Sequence, residues 1–476
     1  MKKIYKNKKP LRVLSFFVLA SMLTGMGSCK KSLDIGPPAT LLATANVYTS
    51  NSAAEGVISG LYASMANTSR MYNGGASVAI QQGLAADELV SFITTGNQFY
   101  TNSLSSLSTY YWPEIFQELF TCNSAIDGLG AATSLDPTIR QQLLAEAKFT
   151  RAFIFFNAVN LYGDVPLVLS TDPAVNNVIS RSPAATVLQQ VIQDLTDAQS
   201  VLPDNKYETL AAAAATDRLL PNKQAASALL ARVYLYMQDW KDAETQASNV
   251  IGSSVYVLEP NLNNVFLKTS RETIWQLQSI TTTSANADAS ALVLTAAPNG
   301  IVNQYPLNSA LVNAFESGDT RFTNWVGQLK AGTTTYYYAY KYKQNLITSG
   351  VTINEYPILF RLAEQYLIRA EARAQQNNLA GAQSDLNTIR ARAGLAPTTA
   401  TTQAGLLTAI YNERQVELFT EFGHRWFDLK RTGRIDAVMT AIDPLKGGVW
   451  SSYKQLIPIP QSELILNSHL IQNPGY

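Results

Sequence analysis

The sequence contains few of the residues on which catalytic and metal sites depend. It has two cysteines and two histidines among 476 residues, and 15% of its residues are charged, against a usual quarter or so. Two cysteines exclude a disulfide framework, and two histidines leave little material for a metal centre. The main apolar stretch, Val13 to Leu23, has eleven residues, which is too short for a membrane-spanning helix of about 20 residues.

The first 28 residues have the pattern of a secretory signal. Six basic residues and no acid precede the apolar stretch, and two small residues stand directly before Cys29. This pattern predicts a lipoprotein signal peptide at residues 1–28, acylation of Cys29 as the new N-terminus, and a flexible tether at residues 29–40. Because two or more fatty chains anchor a protein stably, we expect attachment to a membrane. The alternative is an ordinary signal peptide with an incidental cysteine. With Cys29 acylated, Cys122 has no intramolecular partner.

The balance of charged and polar residues argues against a nucleic-acid partner. The whole chain carries a formal charge of +1, and loss of the six basic residues before Cys29 takes the mature chain to −5. A mildly acidic chain disfavours binding to nucleic acid. Ser, Thr, Asn, Gln and Tyr take the place of the missing charges, and such a surface suits uncharged, hydroxyl-rich ligands.

Helical periodicity dominates the chain and repeats itself. Residues 224–251 and 362–393 each have the pattern of two helices, and they superpose with a constant offset of 139 residues, so that Ala231 corresponds to Ala370. Small residues twelve apart, with apolar residues four and seven further on, are the skeleton of a tetratricopeptide helix pair. The small residues let antiparallel helices approach closely, and each pair needs stacked neighbours to bury its apolar face.

Two further pairs complete the predicted scaffold. Residues 143–162 and the helix after Ser182 form a third pair that a loop interrupts, and residues 39–126 hold a fourth, degenerate pair. We therefore predict a mostly α fold of about four tetratricopeptide-like helical pairs that carry a loop-rich, partly β insertion.

The predicted organisation has three regions after the tether. An N-terminal helical region covers residues 41–251, a loop-rich insertion covers 252–357, and a C-terminal helical region covers 358–476. Within the insertion, Thr273 to Leu277 and Tyr336 to Tyr342 alternate like strands between loops rich in Ser, Thr, Asn and Gly. Loops presented by a rigid scaffold are where binding tends to occur.

Six blocks of the sequence resemble the RagB/SusD family of outer-membrane nutrient-uptake lipoproteins. Two of them read "EAKFTRAFIFFNAVNLYGDVPLV" and "ERQVELFTEFGHRWFDLKRTGR". In chain order, the blocks are residues 146–168, 310–322, 356–372, 386–395, 413–434 and 456–476. They occur in the order of the family across nearly the whole mature chain.

The resemblance implies a SusD-like α-α superhelix and a role in uptake. Members of the family lie on the outer surface of Bacteroidota-type bacteria, in the outer membrane, as the lid of a SusC-like TonB-dependent barrel transporter. They capture a glycan or oligosaccharide, or in some members a peptide, before import. The family is not enzymatic, and the resemblance implies no cofactor. A tetratricopeptide scaffold lipoprotein that assembles other envelope proteins without binding a ligand stays open as the alternative.

Two sets of acidic residues resemble a metal site and a glycosidase site, but structural roles explain them better. Glu413, Glu417, Glu421 and His424 share one helix face, yet a di-metal carboxylate site needs a second Glu-x-x-His motif, which the sequence lacks. We expect a charge network at the helix ends, with Arg414, Arg425, Lys430 and Arg431 as partners.

Paired carboxylates of a glycosidase are also conceivable. The local candidates are Asp87 with Glu88, and Asp319 near Glu316. Neither pair lies in a catalytic motif, and Asp319 followed by Arg321 is typical of a turn with an ion pair. The sequence therefore predicts no catalytic residues and no metal ligands.

The tyrosine run "TTTYYYAYKYKQN", residues 333–345, is the strongest aromatic feature. As a strand it places Tyr336, Tyr338, Tyr340 and Tyr342 on one face. Such a row is a possible platform for stacking sugars. A structural role in strand pairing is favoured, since the family has a similar aromatic strand at this position.

The resemblance places the ligand face on two loops, residues 96–103 and 299–308. Amides can bond sugar hydroxyls, and aromatic rings can stack on sugar rings. With an adjacent loop, these segments give the candidate ligand-binding residues Arg70, Tyr72, Asn97, Phe99, Tyr100, Asn102, Asn303, Gln304 and Tyr305. The alternative for each is an ordinary solvated loop residue.

Overall fold

Helices dominate the part of the chain that the computed structural model describes, which is residues 47–93, 97–204, 217–278, 286–301, 304–345 and 352–476. One compact unit begins at Tyr48. The helices are α1 (Asn51–Asn67), α2 (Val78–Ala85), α3 (Trp112–Ala131), α4 (Pro137–Tyr162), α5 (Pro173–Asn176), α6 (Ala184–Val201), α7 (Lys223–Tyr236), α8 (Trp240–Ile251), α9 (Ala287–Leu292), α10 (Ser309–Val312), α11 (Thr320–Trp325), α12 (Leu362–Gln375), α13 (Leu379–Arg392), α14 (Gln403–Glu417), α15 (His424–Arg431), α16 (Ile435–Ile442) and α17 (Gln461–Leu466). The strands are β1 (Val165–Pro166), β2 (Arg181–Ser182), β3 (Thr273–Gln276), β4 (Val326–Ala331), β5 (Thr334–Ala339) and β6 (Ile358–Arg361).

The two predicted helical repeats are confirmed. Helices α7 and α8 form one pair, and α12 and α13 form the other. The turns that join them contain Gln238 and Asn377 at φ +61° and +62°. Ala231 and Ala370 are fully buried, which allows the close helix approach that the small side chains predicted. Helix α8 also packs against α12, so the two repeats are neighbours in space.

The third predicted pair is also present, since α4 packs against α6. Arg151 of α4 donates hydrogen bonds to both carboxylate oxygens of Asp194 in α6, at 2.8 and 2.7 Å. In the predicted fourth pair, α1 packs against α3 and α4. Helix α1 begins at Asn51, and residues 39–46 of that prediction lie outside the described residues.

Three two-stranded antiparallel sheets lie within the described ranges: β1 with β2, β3 with β6, and β4 with β5. Every residue of β3 and β6 is buried, because Trp275 packs against Phe149, Phe153 and Phe360 at centroid distances of 5.0 to 5.7 Å. The β3–β6 sheet joins the predicted insertion to the region after residue 357. The division into three regions stays a prediction.

A group of buried charged residues, here called the charge cluster, fixes α14 to the sheets. Its members are Glu272, Arg321, Lys341, Arg361, Arg392, Glu413, Glu417 and Glu421. The carboxylate of Glu417 accepts hydrogen bonds from Arg321 at 2.9 Å and from Arg361 at 2.6 Å. Burial alone raises the pKa of Glu417, but the charges of Arg392, Arg361 and Arg321 outweigh it and hold the pKa well below its usual value.

The cluster confirms the predicted charge network but corrects its partners. Glu413 and Glu417 pair with bases from distant segments, because α14 turns its acidic face toward α11, β6 and α13. The four residues predicted to share one helix face do not lie on one helix, since α14 ends at Glu417, Glu421 follows it, and His424 begins α15. The four basic residues expected as partners bond elsewhere. Arg414 and Arg431 pair with Asp428, Arg431 also pairs with Glu371, Arg425 pairs with Asp87, and Lys430 donates to the carbonyl of Asn160.

Candidate functional site

One of the two loops expected to carry the ligand face, residues 299–308, lies beside the β4–β5 hairpin and pairs with the segment around Leu89. Leu89 and Leu307 form an isolated antiparallel bridge. The amide of Val90 donates to the carbonyl of Pro306 at 2.8 Å, and the amide of Leu307 donates to the carbonyl of Tyr337 at 2.7 Å. Backbone hydrogen bonds therefore join the loop at 304–308 to the edge of the tyrosine strand and to residues 89 and 90, which precede the other predicted loop in the chain.

Four of the predicted ligand residues are buried, which corrects their assignment to a ligand surface. Tyr72 is 1% exposed, because its ring stacks on Phe153 and Phe422 at 6.0 and 5.8 Å. Its hydroxyl donates to Glu118 at 2.7 Å. The chain after α1 folds back into the core here, so the ring of Tyr72 has no surface with which to contact a ligand.

Phe99, Asn102 and Tyr305 are 9%, 3% and 4% exposed. The amide of Asn102 donates to the carbonyl of Ala85 at 3.1 Å and to Asp443 at 2.7 Å, so it fastens its loop to the end of α2. Phe99 packs against two neighbouring tyrosines. These side chains support the face from below and do not present groups to solvent.

Four other predicted residues are at least partly exposed, and their polar atoms mostly brace the loops. Arg70 bonds Glu114 and donates to the carbonyl of Tyr110 at 2.5 Å. The carboxamide oxygen of Asn97 accepts from the amide of Tyr100 at 3.1 Å. Gln304 donates to the carbonyl of Val293 at 3.0 Å. Tyr100 is partly buried, and Asn303 lies outside the described residues.

Three of the predicted tyrosines and one residue that the sequence analysis missed form an aromatic row. The row consists of Phe92, Tyr336, Tyr338 and Tyr340. Phe92 is 37% exposed and meets Tyr336 edge-on, with ring centroids 5.8 Å apart. Tyr338 and Tyr340 also stand edge to face, 5.8 Å apart. No periodic signal marks Phe92, because its place beside Tyr336 depends on the non-local Leu89–Leu307 bridge.

The strand that carries the row differs from its predicted span. β5 begins at Thr334 and ends at Ala339, both earlier than predicted. Tyr336 lies opposite Leu329, and Tyr338 lies opposite Gly327, which gives the expected alternation. Tyr342 departs from the row, because its ring is 7% exposed and packs against Phe266.

Lys341 fixes the end of the tyrosine strand to the charge cluster. Its ammonium group donates to the carbonyls of Glu417 and Phe419, both at 2.8 Å, and to the carboxylate of Glu421 at 2.6 Å. It also lies 3.8 Å from the centroid of the Phe419 ring. Burial lowers the pKa of Lys341 to about 8. The row is thus presented by a strand with a rigid attachment to the core.

The acidic pairs considered for glycosidase chemistry have structural partners. Asp87 accepts two hydrogen bonds from Arg425, each 2.7 Å long. Glu88 is buried and accepts weakly from the backbone amide of Thr420; burial and the neighbouring Asp87 raise its pKa to about 8. Asp319 caps α11 and pairs with Arg321 at 2.7 Å, as the turn and ion pair predicted.

Clusters of metal-ligating side chains and membrane-spanning helices are both absent from the described ranges. No group of three or more His, Cys, Asp or Glu side chains there is arranged to hold a metal ion. Within the same ranges, no helix combines the length and the apolar character needed to cross a bilayer.

Two family models match the chain. A model described as "SusD family" matches residues 323–476, and a model described as "Starch-binding associating with outer membrane" matches residues 33–235. The two ranges do not overlap and lie on either side of the segment between residues 235 and 323.

Individual proteins are similar along nearly the whole chain. SusD-like protein P2 of Formosa agariphila is 27% identical over 522 aligned residues, which cover 97% of this chain and 99% of that protein. A SusD superfamily protein from Parabacteroides distasonis has a similar structure, with a TM-score of 0.75, 23% identity, and coverage of 89% of this chain and 99% of that one. A laminarin-binding SusD-like protein gives a TM-score of 0.74 at 24% identity, with coverage of 89% and 99%. These likenesses confirm the predicted mostly α fold.

Proposed function

The chain belongs to the SusD family, and on that premise we propose that it is a glycan-binding lipoprotein of the outer membrane. In this proposal the protein captures a polysaccharide or oligosaccharide and passes this ligand to a SusC-like TonB-dependent transporter. It binds the ligand and does not catalyse a reaction. The residues proposed to meet the glycan are the aromatic row and the exposed parts of Asn97 and Tyr100.

The aromatic row is the observation that carries the proposal. Phe92 and three tyrosines lie partly exposed on one surface, and the backbone bonds of Val90 and Leu307 and the Lys341 attachment hold that surface in place. Aromatic rings bind the C–H faces of sugars, and a rigid surface loses little conformational entropy on binding. The starch-binding description of a matching family model and the laminarin-binding relative support a glycan as the ligand.

The membrane anchor and the lid role rest on the sequence. Cys29, the signal peptide at 1–28 and the tether at 29–40 lie outside the described residues. The lipoprotein pattern before Cys29 and the outer-membrane description of the family model support an anchored protein. We propose that the anchored chain faces the exterior and closes over its transporter.

Binding to purified protein tests the proposal. A chain that starts at Lys30 would be titrated by calorimetry with laminarin, starch and mannan, and with a peptide pool. We expect at least one polysaccharide to bind, and we expect Phe92→Ala combined with Tyr336→Ala to weaken binding about tenfold or more. Phe120→Ala is the matched control, because Phe120 is an exposed phenylalanine on α3, at 49% against 37% for Phe92.

The outcomes separate this function from its rivals. A folded protein that binds no polysaccharide would contradict the proposal, and binding to the peptide pool alone would identify a peptide-binding member. Under the scaffold alternative, substitutions in the aromatic row leave nutrient uptake unchanged. Deletion of the partner transporter should abolish uptake of the ligand in cells while the soluble chain still binds it.

A further inference from the structure

We infer that Tyr338 and Gly327 form a stacking subsite for one pyranose ring of the ligand. Tyr338 provides the floor, Tyr340 provides a side wall, and Gly327 is a positioning residue that lets the floor lie flat. This inference rests on the proposed function, because it names a place and a chemistry for a glycan on the same face.

The register of the hairpin brings Gly327 and Tyr338 together. They are directly opposed residues of β4 and β5, so their side-chain positions lie on the same face of the sheet. A Cβ atom built on Gly327 would lie 2.2 Å from Cζ, 2.3 Å from Cε2 and 2.6 Å from the hydroxyl oxygen of Tyr338. The outer end of the tyrosine ring therefore occupies the space that any other residue at 327 would need.

The position of the ring follows from this contact. Because its outer end lies over the backbone of Gly327, the ring reaches across β4 and does not stand upright from the sheet. One ring face covers the glycine, and the side chain as a whole is only partly buried. Tyr340 stands at 85° to this ring with centroids 5.8 Å apart. The two rings form a corner with a flat floor and one wall.

A corner of this kind fits a sugar ring with equatorial hydroxyls. The face of such a pyranose carries axial C–H groups, which pack against the electron-rich face of an aromatic ring, while its hydroxyls point outward to polar groups or water. Tyr336 projects from the same strand face, about 7 Å further along β5, and leads toward Phe92. A second sugar unit can therefore continue along the row.

The charges around the corner disfavour a cationic ligand. Residues 326–345, the hairpin and the chain after it, contain three lysines and no acid. Lys341 is buried in the charge cluster, and the ammonium group of Lys343 lies 5.2 Å from the ring centroid of Tyr340. The hairpin thus offers rings, hydroxyls and positive charge, which suits glycans and disfavours basic peptides.

Substitution at Gly327 tests the inference, because it leaves every tyrosine in place. Gly327→Ala should push the ring of Tyr338 off the strand and lower affinity for laminarin or starch about tenfold, and Tyr338→Ala should do the same. Tyr338→Phe keeps the ring and should stay within about twofold of the original affinity. Gln328→Ala is the control, since Gln328 is an exposed neighbour in β4 on the opposite face.

The double variant gives the decisive comparison. If Gly327 acts only by positioning Tyr338, then Gly327→Ala should cost nothing further in a chain that already carries Tyr338→Ala. Full additivity of the two losses would overturn the inference, and so would unchanged binding by both single variants. Should Gly327→Ala fail to fold, a loss of affinity in Tyr338→Ala that Tyr338→Phe does not share still supports the floor, and equal affinities refute it.

The result also distinguishes the inference from the proposed function. If the original chain binds no polysaccharide, the proposed function and the subsite both fail. If it binds and loses affinity with Phe92→Ala, but not with Tyr338→Ala or Gly327→Ala, glycan binding stands and only the subsite is refuted.

Discussion

Substitution of Lys341 by methionine should destabilise the protein far more than the same change at an equally short surface ion pair. Lys341 and Lys148 each donate to a carboxylate at 2.6 Å, to Glu421 and to Asp197. The side chains of the first pair are 2% and 7% exposed, and those of the second are 24% and 37% exposed. The distance between ammonium nitrogen and carboxylate oxygen is therefore the same in both pairs, and the pairs differ in how deeply their side chains are buried.

The magnitude follows from what each substitution leaves behind. Methionine at 341 removes three hydrogen bonds and leaves the buried carbonyl of Phe419 without this donor, whereas the carbonyl of Glu417 keeps its hydrogen bond from Arg361 at 2.7 Å. A buried polar group left unsatisfied costs about 1 to 3 kcal/mol. The carboxylate of Glu421 keeps Arg361 as a partner, which limits the further loss. We expect Lys341→Met to cost about 2 kcal/mol or more, and Lys148→Met less than about 1 kcal/mol, as exposed pairs usually do.

Urea denaturation followed by circular dichroism measures both variants under the same conditions. Laminarin or starch titrations of the folded variants then show whether loosening the end of the tyrosine strand also weakens binding at the aromatic row. Equal losses of stability at the two sites would refute the reasoning, because they would mean that burial does not set the strength of these pairs.

Three further changes have defined outcomes. Burial and Asp87 raise the pKa of Glu88 to about 8 in the folded protein. The free energy of unfolding is therefore expected to fall as pH rises from about 4.5 to 8. Glu88→Gln should flatten this pH dependence in urea titrations, and an unchanged slope would contradict the prediction. Ala382→Leu, at a fully buried position of α13, should cost about 1 to 3 kcal/mol by overpacking, whereas Ala380→Leu on the exposed side should be nearly neutral in the same assay. The thiol of Cys122 is fully buried, and burial raises its pKa, so in a chain lacking Cys29 a thiol reagent should react only after urea unfolding; rapid labelling of the native protein would contradict this.

Local periodicity was sufficient to predict the helical scaffold. The correspondence of Ala231 with Ala370 placed two helix pairs correctly, because a small residue at a helix crossing is required by the contact between neighbouring helices. The turns after α7 and α12 were placed correctly for a similar reason, since the helical pattern breaks there. Each of these features depends on residues close together in the sequence.

The proposed ligand face could not be predicted in the same way, because non-local contacts decide which loop residues are buried. Tyr72 and Asn102 have the residue types of a sugar site, yet Tyr72 packs on Phe422 and Asn102 bonds Asp443, both more than 300 residues away. Phe92 carries no pattern of its own, and a bridge to Leu307 brings it to the tyrosine strand. Composition suggested aromatic and amide contacts, and only the fold selects which residues provide them.

The low content of charge and the aromatic row are connected through the same core. Arg321, Arg361 and Lys341 are almost completely buried and paired with glutamates and, for Arg321, also with Asp319. A part of the scarce charge of this chain is therefore used inside the protein. The desolvation of such internal pairs offsets much of their attraction, and here Lys341 ties the chain just after β5 to Glu421. A surface depleted of charge in this way interacts through rings, hydroxyls and amides. These groups gain from neutral, hydroxyl-rich ligands with flat C–H faces, because neither partner must lose the hydration of an ion when they meet.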